Sequence, residues 1–345
     1  MRRHPSVVLP AVAALLVWPA APRSVPPALE AEMFGVDFAH SSVEFSIRFM
    51  GLTNVHGRFT DFAGTIMYLE RDVTRSTITV IIKAKSIDTG VPTRDNDLRG
   101  HSFFATDSFP TITFQSTRIE KTESGFVARG LFTLHGVTKE LTIPFVQLHG
   151  KLKDGWGNTR VGFAGALKLN RHDFHIDGTN FWNQVIDLSR MALADTVNID
   201  LAVEGIVWNF DRFEFGSRPG TRPIGAALQQ TITEKGVGAA RAQYALLTRD
   251  SAAAYTTGEG QLNTLGYKLL QAGRVDDAIA IFQLNVETFP QSSNVYDSLG
   301  EAYLAKGDRV NARVNYQRSL DLDPLNTGAI EVLRWLKGGG GGAGG

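Results

Sequence analysis

The chain has 345 residues, enough for two domains of ordinary size, and 43% of its residues are apolar, enough for well-packed cores. Lysine plus arginine and aspartate plus glutamate number 35 each, so no net charge draws the chain to nucleic acid or to an anionic surface. Cysteine is absent, which excludes thiol nucleophiles, disulfides and cysteine-bound metals.

The first residues have the pattern of an export signal. Arg2 and Arg3 precede an apolar run from Val7 to Trp18, which ends at Pro19-Ala20-Ala21. The run is too short to cross a bilayer as a helix, which needs about 20 residues. We therefore predict a signal peptide and leader over residues 1–32 and a periplasmic or secreted protein without a transmembrane span. Trp18 lies where a small residue is expected before the cleavage site, so the sequence does not fix that site. An uncleaved N-terminal anchor is the alternative.

Residues 34–210 are predicted to form a mainly β domain. Short stretches that alternate apolar and polar residues, such as Val43–Phe49 and Val197–Glu204, are separated by Gly, Asp, Asn and Pro. Eight such stretches favour a closed eight-stranded antiparallel barrel with an apolar interior and one short helix, wide enough inside for one small ligand. The same periodicity also fits a barrel packed solid by its own side chains.

The alternation selects the side chains that we expect inside the barrel. They come from the first, seventh and eighth strands and form the predicted ligand-binding set: Val43, Phe45, Ile47, Phe49, Val161, Phe163, Leu167, Leu169, Val197, Ile199, Leu201 and Val203.

The segment from Arg94 to Arg99 is predicted to form a short helix over one barrel mouth. Asp95 or Asp97 suits the first turn, where carboxylates meet free backbone amides. Arg94 and Arg99 either clamp a polar head group or pair with these aspartates to hold the helix. The following Phe103 and Phe104 are expected to line or plug the same mouth.

The remainder of the chain is predicted to be helical. Residues 211–258 form a partly helical connector, and a 34-residue period then relates Leu265-Gly266 to Leu299-Gly300 and Pro290 to Pro324. This pattern resembles two tetratricopeptide repeats, over 259–292 and 293–326, followed by a capping helix up to residue 337. Such an all-α repeat domain either binds a protein partner or only adds stability. The glycines of 338–345 are expected to form a disordered tail.

Polar clusters give little support for catalysis. His172, Asp173 and His175 do not point to one side of a strand, and no third metal ligand is evident. His135 precedes a glycine in a turn, as a structural histidine does, and Ser41 lacks the surroundings of a nucleophile. We predict no enzyme activity, no metal site and no cofactor.

The β domain resembles the YceI family of exported, lipocalin-like, isoprenoid-binding proteins. The resemblance covers about half of the chain, and Phe49 and His175 depart from the family pattern, which has histidine and glycine there. The segments that carry it are Val36-Asp37, His40-Ser41, Val43 to Gly51, Ser86 to Gly90, Arg94-Asp95, Leu98, Phe103-Phe104, Phe109-Pro110, Ile112, Phe114, Gly130-Leu131, His135 to Thr138, Arg171 and Asp173-Phe174.

The resemblance implies an extended barrel whose pore takes an elongated isoprenoid or similar lipid. Our first hypothesis is therefore an exported lipid-binding protein that sequesters or carries a polyprenyl or quinone-like chain, with repeats that bind a protein. The alternative is a protein-interaction scaffold in which the barrel is a packed module without ligand. Nucleic acid is not an expected partner.

Overall fold

The computed structural model of the protein describes residues 31–183, 185–187, 190–210, 215–216 and 218–338. The predicted signal sequence and glycine tail lie outside these residues, apart from 31–32 and 338. No helix among the described residues reaches the length and hydropathy that crossing a membrane requires.

The N-terminal domain is a β-barrel. Its strands are β1 (Glu32–Val36), β2 (Ser42–Phe49), β3 (Thr53–Phe59), β4 (Phe62–Tyr68), β5 (Thr77–Lys83), β6 (Ile87–Asp88), β7 (Thr111–Thr122), β8 (Gly125–Leu134), β9 (Val137–Lys153) and β10 (Thr159–Asn170), then β11 (Val185–Asp187) and β12 (Arg190–Met191) in a small separate hairpin, and β13 (Leu193–Val207).

Pairing closes these strands into a ring. Three of the eight barrel strands are interrupted, and each consists of two consecutive segments: β1 with β2, β3 with β4, and β5 with β6. The first segment pairs with the second of its neighbour: β2 pairs with β3 while β1 pairs with β4. In the same way, β4 pairs with β5 while β3 pairs with β6. The remaining long strands follow as an antiparallel meander, and β13 returns to pair with both β1 and β2. The result is a closed eight-stranded antiparallel barrel, which confirms the predicted fold class.

The register places the apolar side chains of neighbouring strands at the same level of the interior. Ile47 lies opposite Val55 on one side and Val197 on the other, and Phe163 lies opposite Val203. Because side chains alternate across a strand, these pairs face one side of the wall together.

Helix α1 (Pro92–Arg99) covers one end of the barrel, beside short 3₁₀ turns at Arg171–Phe174 and Asn180–Asn183. Proline at its first position suits the start of a helix, since its missing N–H would have no partner there.

The C-terminal domain consists of stacked helical hairpins, which confirms the predicted all-α repeat fold. Two helices, α2 and α3, lie within the segment predicted as connector. The helices are α2 (Ile224–Lys235), α3 (Val237–Asp250), α4 (Glu259–Gln271), α5 (Val275–Thr288), α6 (Ser293–Lys306), α7 (Arg309–Leu322) and α8 (Thr327–Lys337), with short parallel strands β14 (Arg222–Pro223) and β15 (Tyr255–Thr256) before α4.

The glycines of the 34-residue period explain how the hairpins close. A Cβ added at Gly266 would lie 2.4 Å from the Phe282 ring, and one at Gly300 would lie 2.9 Å from the Tyr316 ring. Both rings are fully buried. Only glycine lets each first helix approach the aromatic side chain of its partner helix this closely.

Helix α8 fastens the repeats to the outside of the barrel. The buried Glu331 carboxylate accepts hydrogen bonds from the Thr77 hydroxyl, at 2.7 Å, and from the Thr79 hydroxyl of the same strand, β5. Thr327 and Thr65 on β4 bond through their hydroxyls at 2.8 Å. The predicted capping helix therefore covers the last repeat and also joins it to the barrel wall.

Candidate functional site: an apolar cavity with one mouth

The barrel encloses a cavity of about 530 Å³, within the range of small-molecule binding sites. Strands β2–β5, β7–β10 and β13 all contribute side chains to its wall. The barrel is therefore hollow, and the alternative of a barrel packed solid by its own side chains is wrong.

Most of the predicted interior residues line this cavity. The structure places eleven of the twelve on its wall: Val43, Phe45, Ile47, Phe49, Phe163, Leu167, Leu169, Val197, Ile199, Leu201 and Val203.

Val161 is the exception, and its predicted role is corrected. Its side chain is only 1% exposed and packs among Phe34, Ile66 and Tyr68 rather than on the cavity wall. Gly205, which lies opposite Val161 on β13, leaves room for this cluster, because a Cβ there would come within 2.9 Å of a Val161 methyl group. Alternation alone does not show where along a strand the interior space ends.

A chain of aromatic contacts lies at the end of the barrel remote from α1, and three of its rings, Tyr68, Phe145 and Phe163, line the cavity. Neighbouring ring centroids lie 5.8 Å apart for Phe34 and Tyr68, 6.1 Å for Tyr68 and Phe163, and 5.9 Å for Phe163 and Phe145. Phe126 continues the chain by stacking on Phe145 at 5.5 Å. Edge-to-face and stacked rings at these distances attract one another and hold this end of the barrel together.

The other end opens to solvent. Of the described residues that line the cavity, only Thr93, Asp97 and Asn170 are exposed. Thr93 and Asp97 belong to α1, and Asn170 ends β10 next to the turn at Arg171–Phe174. The mouth of the cavity therefore lies beside α1.

The charged wall residues that the structure describes, Arg94, Asp97 and Arg171, all lie at this mouth. Arg94 donates from Nε to the Thr89 hydroxyl at 2.8 Å and from Nη2 to the Thr89 carbonyl at 2.9 Å. Arg171 is buried, which lowers the pKa of its guanidinium, and it donates to the carbonyls of Ala194 and Ile176. The cavity is thus an apolar shaft with a polar collar at one end.

The predictions for the mouth are met unevenly. Phe103 and Phe104 line the cavity, as does Arg94, but Arg99 does not. Arg99 instead donates to the carbonyls of Lys85 and Ile87, so its predicted part in a head-group clamp is corrected.

The proposed Arg–Asp pair on α1 is corrected as well. The Asp95 carboxylate accepts hydrogen bonds from the backbone N–H and the hydroxyl of Thr89. The Thr89 hydroxyl oxygen in turn accepts a hydrogen bond from Arg94. Thr89, two residues before the α1 N-cap Val91, therefore organises the start of this helix.

Several wall residues were not predicted from the sequence. They come from the middle strands and from the mouth, and include Val55, Phe59, Thr89, Thr93, Asp97, Phe114, Phe132, Phe174 and Trp182. The alternation of Ile112 and Phe114 gave a signal for the strand residues. Trp182 belongs to a 3₁₀ turn that carries no periodic pattern.

The histidines near the mouth have structural partners. His172 hydrogen-bonds with the carboxylates of Asp177 and Asp195, and His175 ends the 3₁₀ turn with a left-handed φ of 54°. The ring of His135 hydrogen-bonds to the Phe174 carbonyl at 3.0 Å, in agreement with its predicted structural role.

One group of possible metal ligands occurs among the described residues: Asp37, His40 and Glu204. The positive charge of Arg160 already balances these carboxylates, because its guanidinium donates to both Asp37 and Glu204. Burial would raise the pKa of Asp37, but its hydrogen bonds with His40 and Arg160 outweigh burial and lower it. Ser41, in the same loop, accepts from the Glu204 N–H at 2.9 Å rather than bonding to His40.

The repeats present a second candidate surface, the face formed by the first helices of successive hairpins. Residues that follow the barrel cover part of it. The rings of Tyr267 on α4 and Phe210 after β13 stack at 4.5 Å, and Gln271 donates to the Trp208 carbonyl at 3.0 Å. At the other end of the repeats, Glu331 on α8 bonds to Thr77 and Thr79 of the barrel.

The N-terminal half of the chain is similar to several known proteins. A UPF0312 protein of Yersinia pestis is 34% identical over 167 residues, which is 48% of this chain and 81% of that protein. BcnA of Burkholderia cenocepacia, a solved structure, is similar to 49% of this chain and 98% of its own, with 23% identity and a TM-score of 0.42. A polyisoprenoid binding domain from Saccharophagus degradans covers 50% of this chain and 97% of its own, with 16% identity and a TM-score of 0.37. The YceI-like domain family matches residues 34–205, and the chain belongs to this family.

Proposed function

We propose that the protein binds and carries one elongated apolar lipid, with its chain inside the barrel and its polar end at the mouth. The observation that carries this proposal is the distribution of polarity along the cavity. Among the described wall residues, charged groups lie only in the collar, while the shaft beyond it is lined mainly by aliphatic and aromatic side chains. A molecule with one polar end and a long hydrocarbon chain matches this distribution.

The energetics favour long chains. Burial of each methylene group contributes about 0.8 kcal/mol. Association costs several kcal/mol in lost freedom, so a short metabolite is held poorly. The cavity requires only a slender apolar chain. The isoprenoid class, polyprenyl or quinone-like, comes from the resemblance to the YceI family.

The proposed mechanism is reversible binding without a covalent step. Ser41, His135 and His172 bond to structural partners rather than to one another as nucleophile and base, which supports a binding protein rather than an enzyme. We propose that this occurs outside the cytoplasm, on the strength of the signal-like pattern at Arg2 to Ala21.

The sequence predicts that the repeats bind a protein partner or only add stability. Their contacts with the barrel through Glu331 and with the segment after β13 through Tyr267 favour a structural attachment. A protein partner would have to bind a surface of the repeats that the barrel and the segment after β13 do not cover.

Uptake of polyprenols of increasing length, followed by gel filtration and extraction, tests the carrier proposal. We expect retention at one lipid per chain and an affinity that rises with each isoprene unit until the cavity is full. Equal retention of short and long chains, or none of either, would contradict it. Phe163→Ala, which enlarges the closed end, should shift the preference toward longer chains.

A further inference from the structure

Among the residues that the structure describes, three exposed apolar side chains lie at the end of the barrel that carries the mouth. Leu52, in the hairpin between β2 and β3, is 71% exposed, Phe181 is 54% exposed and Val91 is 40% exposed. Exposed apolar groups gathered around one opening are more informative than scattered ones. We call Leu52, Val91 and Phe181 the rim.

Ring and backbone contacts connect the rim to the cavity wall. The Phe181 ring lies 5.0 Å from the Trp182 ring, which lies 6.1 Å from the Phe49 ring. Trp182 and Phe49 both line the cavity, and the Leu52 N–H donates to the Phe49 carbonyl. The exposed apolar surface is therefore continuous with the interior.

Val91 completes the rim on the opposite side of the hairpin. Strand β6 runs antiparallel to β3, with Ile87 opposite Phe59 and Asp88 opposite Arg58. Chain beyond Asp88 therefore runs toward the β2–β3 hairpin and brings Val91 to its end of the barrel. Val91 directly precedes α1, whose residue Thr93 is part of the mouth.

Basic side chains lie on the outer wall just behind the rim. Arg48 and Lys168 are both exposed, and both alternate with residues that line the cavity. Across the sheet, Lys168 on β10 lies opposite Asn198 on β13, which lies opposite Ser46 on β2. Arg48 is two residues beyond Ser46 on the same strand, so the two basic side chains are near each other on the outer wall. Nearby, the Asp177 and Asp195 carboxylates bond to His172, while Asp97 is exposed within the mouth itself.

We propose that the rim docks onto the surface of an anionic lipid bilayer, with Leu52, Val91 and Phe181 entering the interface and Arg48 and Lys168 near the head groups. The inference rests on the proposed function, because a water-insoluble ligand has to pass between the cavity and an apolar phase. Apolar and aromatic side chains flanked by basic ones are the combination that binds such interfaces. Docking at the rim lets the lipid enter the shaft without crossing water.

Flotation of the full chain with vesicles tests this directly. We expect the protein to float with vesicles of phosphatidylcholine and phosphatidylglycerol, and less with phosphatidylcholine alone. The double variant Leu52→Asp/Phe181→Asp should lower the bound fraction at least tenfold. The matched control is Leu148→Asp/Trp156→Asp, whose side chains are 65% and 68% exposed but lie on β9 and in the β9–β10 hairpin, away from the mouth. It should bind within twofold of the parent chain.

A second comparison separates electrostatic from apolar contacts. Arg48→Gln/Lys168→Gln should lose the preference for anionic vesicles. Failure of the parent chain to bind either vesicle, or equal losses in the rim and control variants, would overturn the proposal and leave the rim to a protein partner. Retention of a preloaded polyprenol by the rim variant, measured in parallel, distinguishes a failure of docking from a failure of lipid binding itself.

Discussion

A single carboxylate placed on the apolar wall of the shaft gives the sharpest test of the cavity. Ile47 lines the wall and lies level with Val55 and Val197 on the neighbouring strands. In Ile47→Asp without ligand, water entering through the mouth can solvate the new carboxylate, so we expect the barrel to fold. A bound lipid would expel that water and leave the carboxyl group without a partner.

The size of the effect follows from two contributions. A buried polar group without a hydrogen bond costs about 1 to 3 kcal/mol in proteins. The smaller side chain also loses contact with roughly one methylene group of the ligand, which is about 0.8 kcal/mol. The sum, about 2 to 4 kcal/mol, corresponds to a loss of roughly 30-fold to several hundred-fold in affinity.

Equilibrium binding of a fluorescent polyprenol provides the assay, with circular dichroism to establish that the variant is folded. Asn54→Asp is the matched control, because Asn54 is exposed and lies next to the wall residue Val55 on β3. It adds the same carboxylate outside the barrel and should bind within twofold of the parent chain. A folded Ile47→Asp variant with unchanged affinity would refute the assignment of the shaft as the binding site.

Three further predictions concern the repeats and their attachment. Glu331→Ala removes the acceptor of the Thr77 and Thr79 hydroxyls, so a urea titration should show a loss of about 2 kcal/mol, whereas the exposed Glu287→Ala should show almost none; equal losses would contradict the buried contact. Burial raises the pKa of Glu301 from 4.5 to about 7, so the folded repeats hold a proton that the unfolded chain releases between these values. Their melting temperature should therefore fall as the pH rises from 4.5 to 7, and an equally steep fall in Glu301→Gln would show that another group is responsible. Gly266→Ala should cost about 1 to 3 kcal/mol by crowding the Phe282 ring, while Gly238→Ala on α3, with open space around it, should stabilise by up to about 1 kcal/mol; thermal melts with the reverse order would contradict the close approach.

Periodicity was sufficient to predict the barrel because its strands are half-buried, with one face toward the interior. Val43 to Phe49 alternates without a break and pairs on both sides along its length. The same rule misplaced Val161, because alternation shows which face of the strand a side chain is on. It does not show how far along the barrel the open cavity extends. That depth is set by aromatic residues from distant strands, such as Phe34 and Tyr68.

The mouth was harder to predict because its residues belong to turns. Arg94 and Arg99 are five residues apart on one short helix, yet only Arg94 reaches the cavity wall, while Arg99 bonds to backbone carbonyls after β5. Trp182 comes from a turn that is positioned by its packing against Phe49. The attachment of α8 to the barrel also lacked a local signal, because Glu331 meets threonines some 250 positions earlier in the chain.

Native mass spectrometry of the intact protein, purified gently from the compartment where it accumulates, tests the central claim most directly. The account predicts one bound lipid per chain, released by organic solvent and identified as a long apolar chain with a single polar end. A bare protein mass, together with no adduct after incubation with polyprenols of any length, would contradict it.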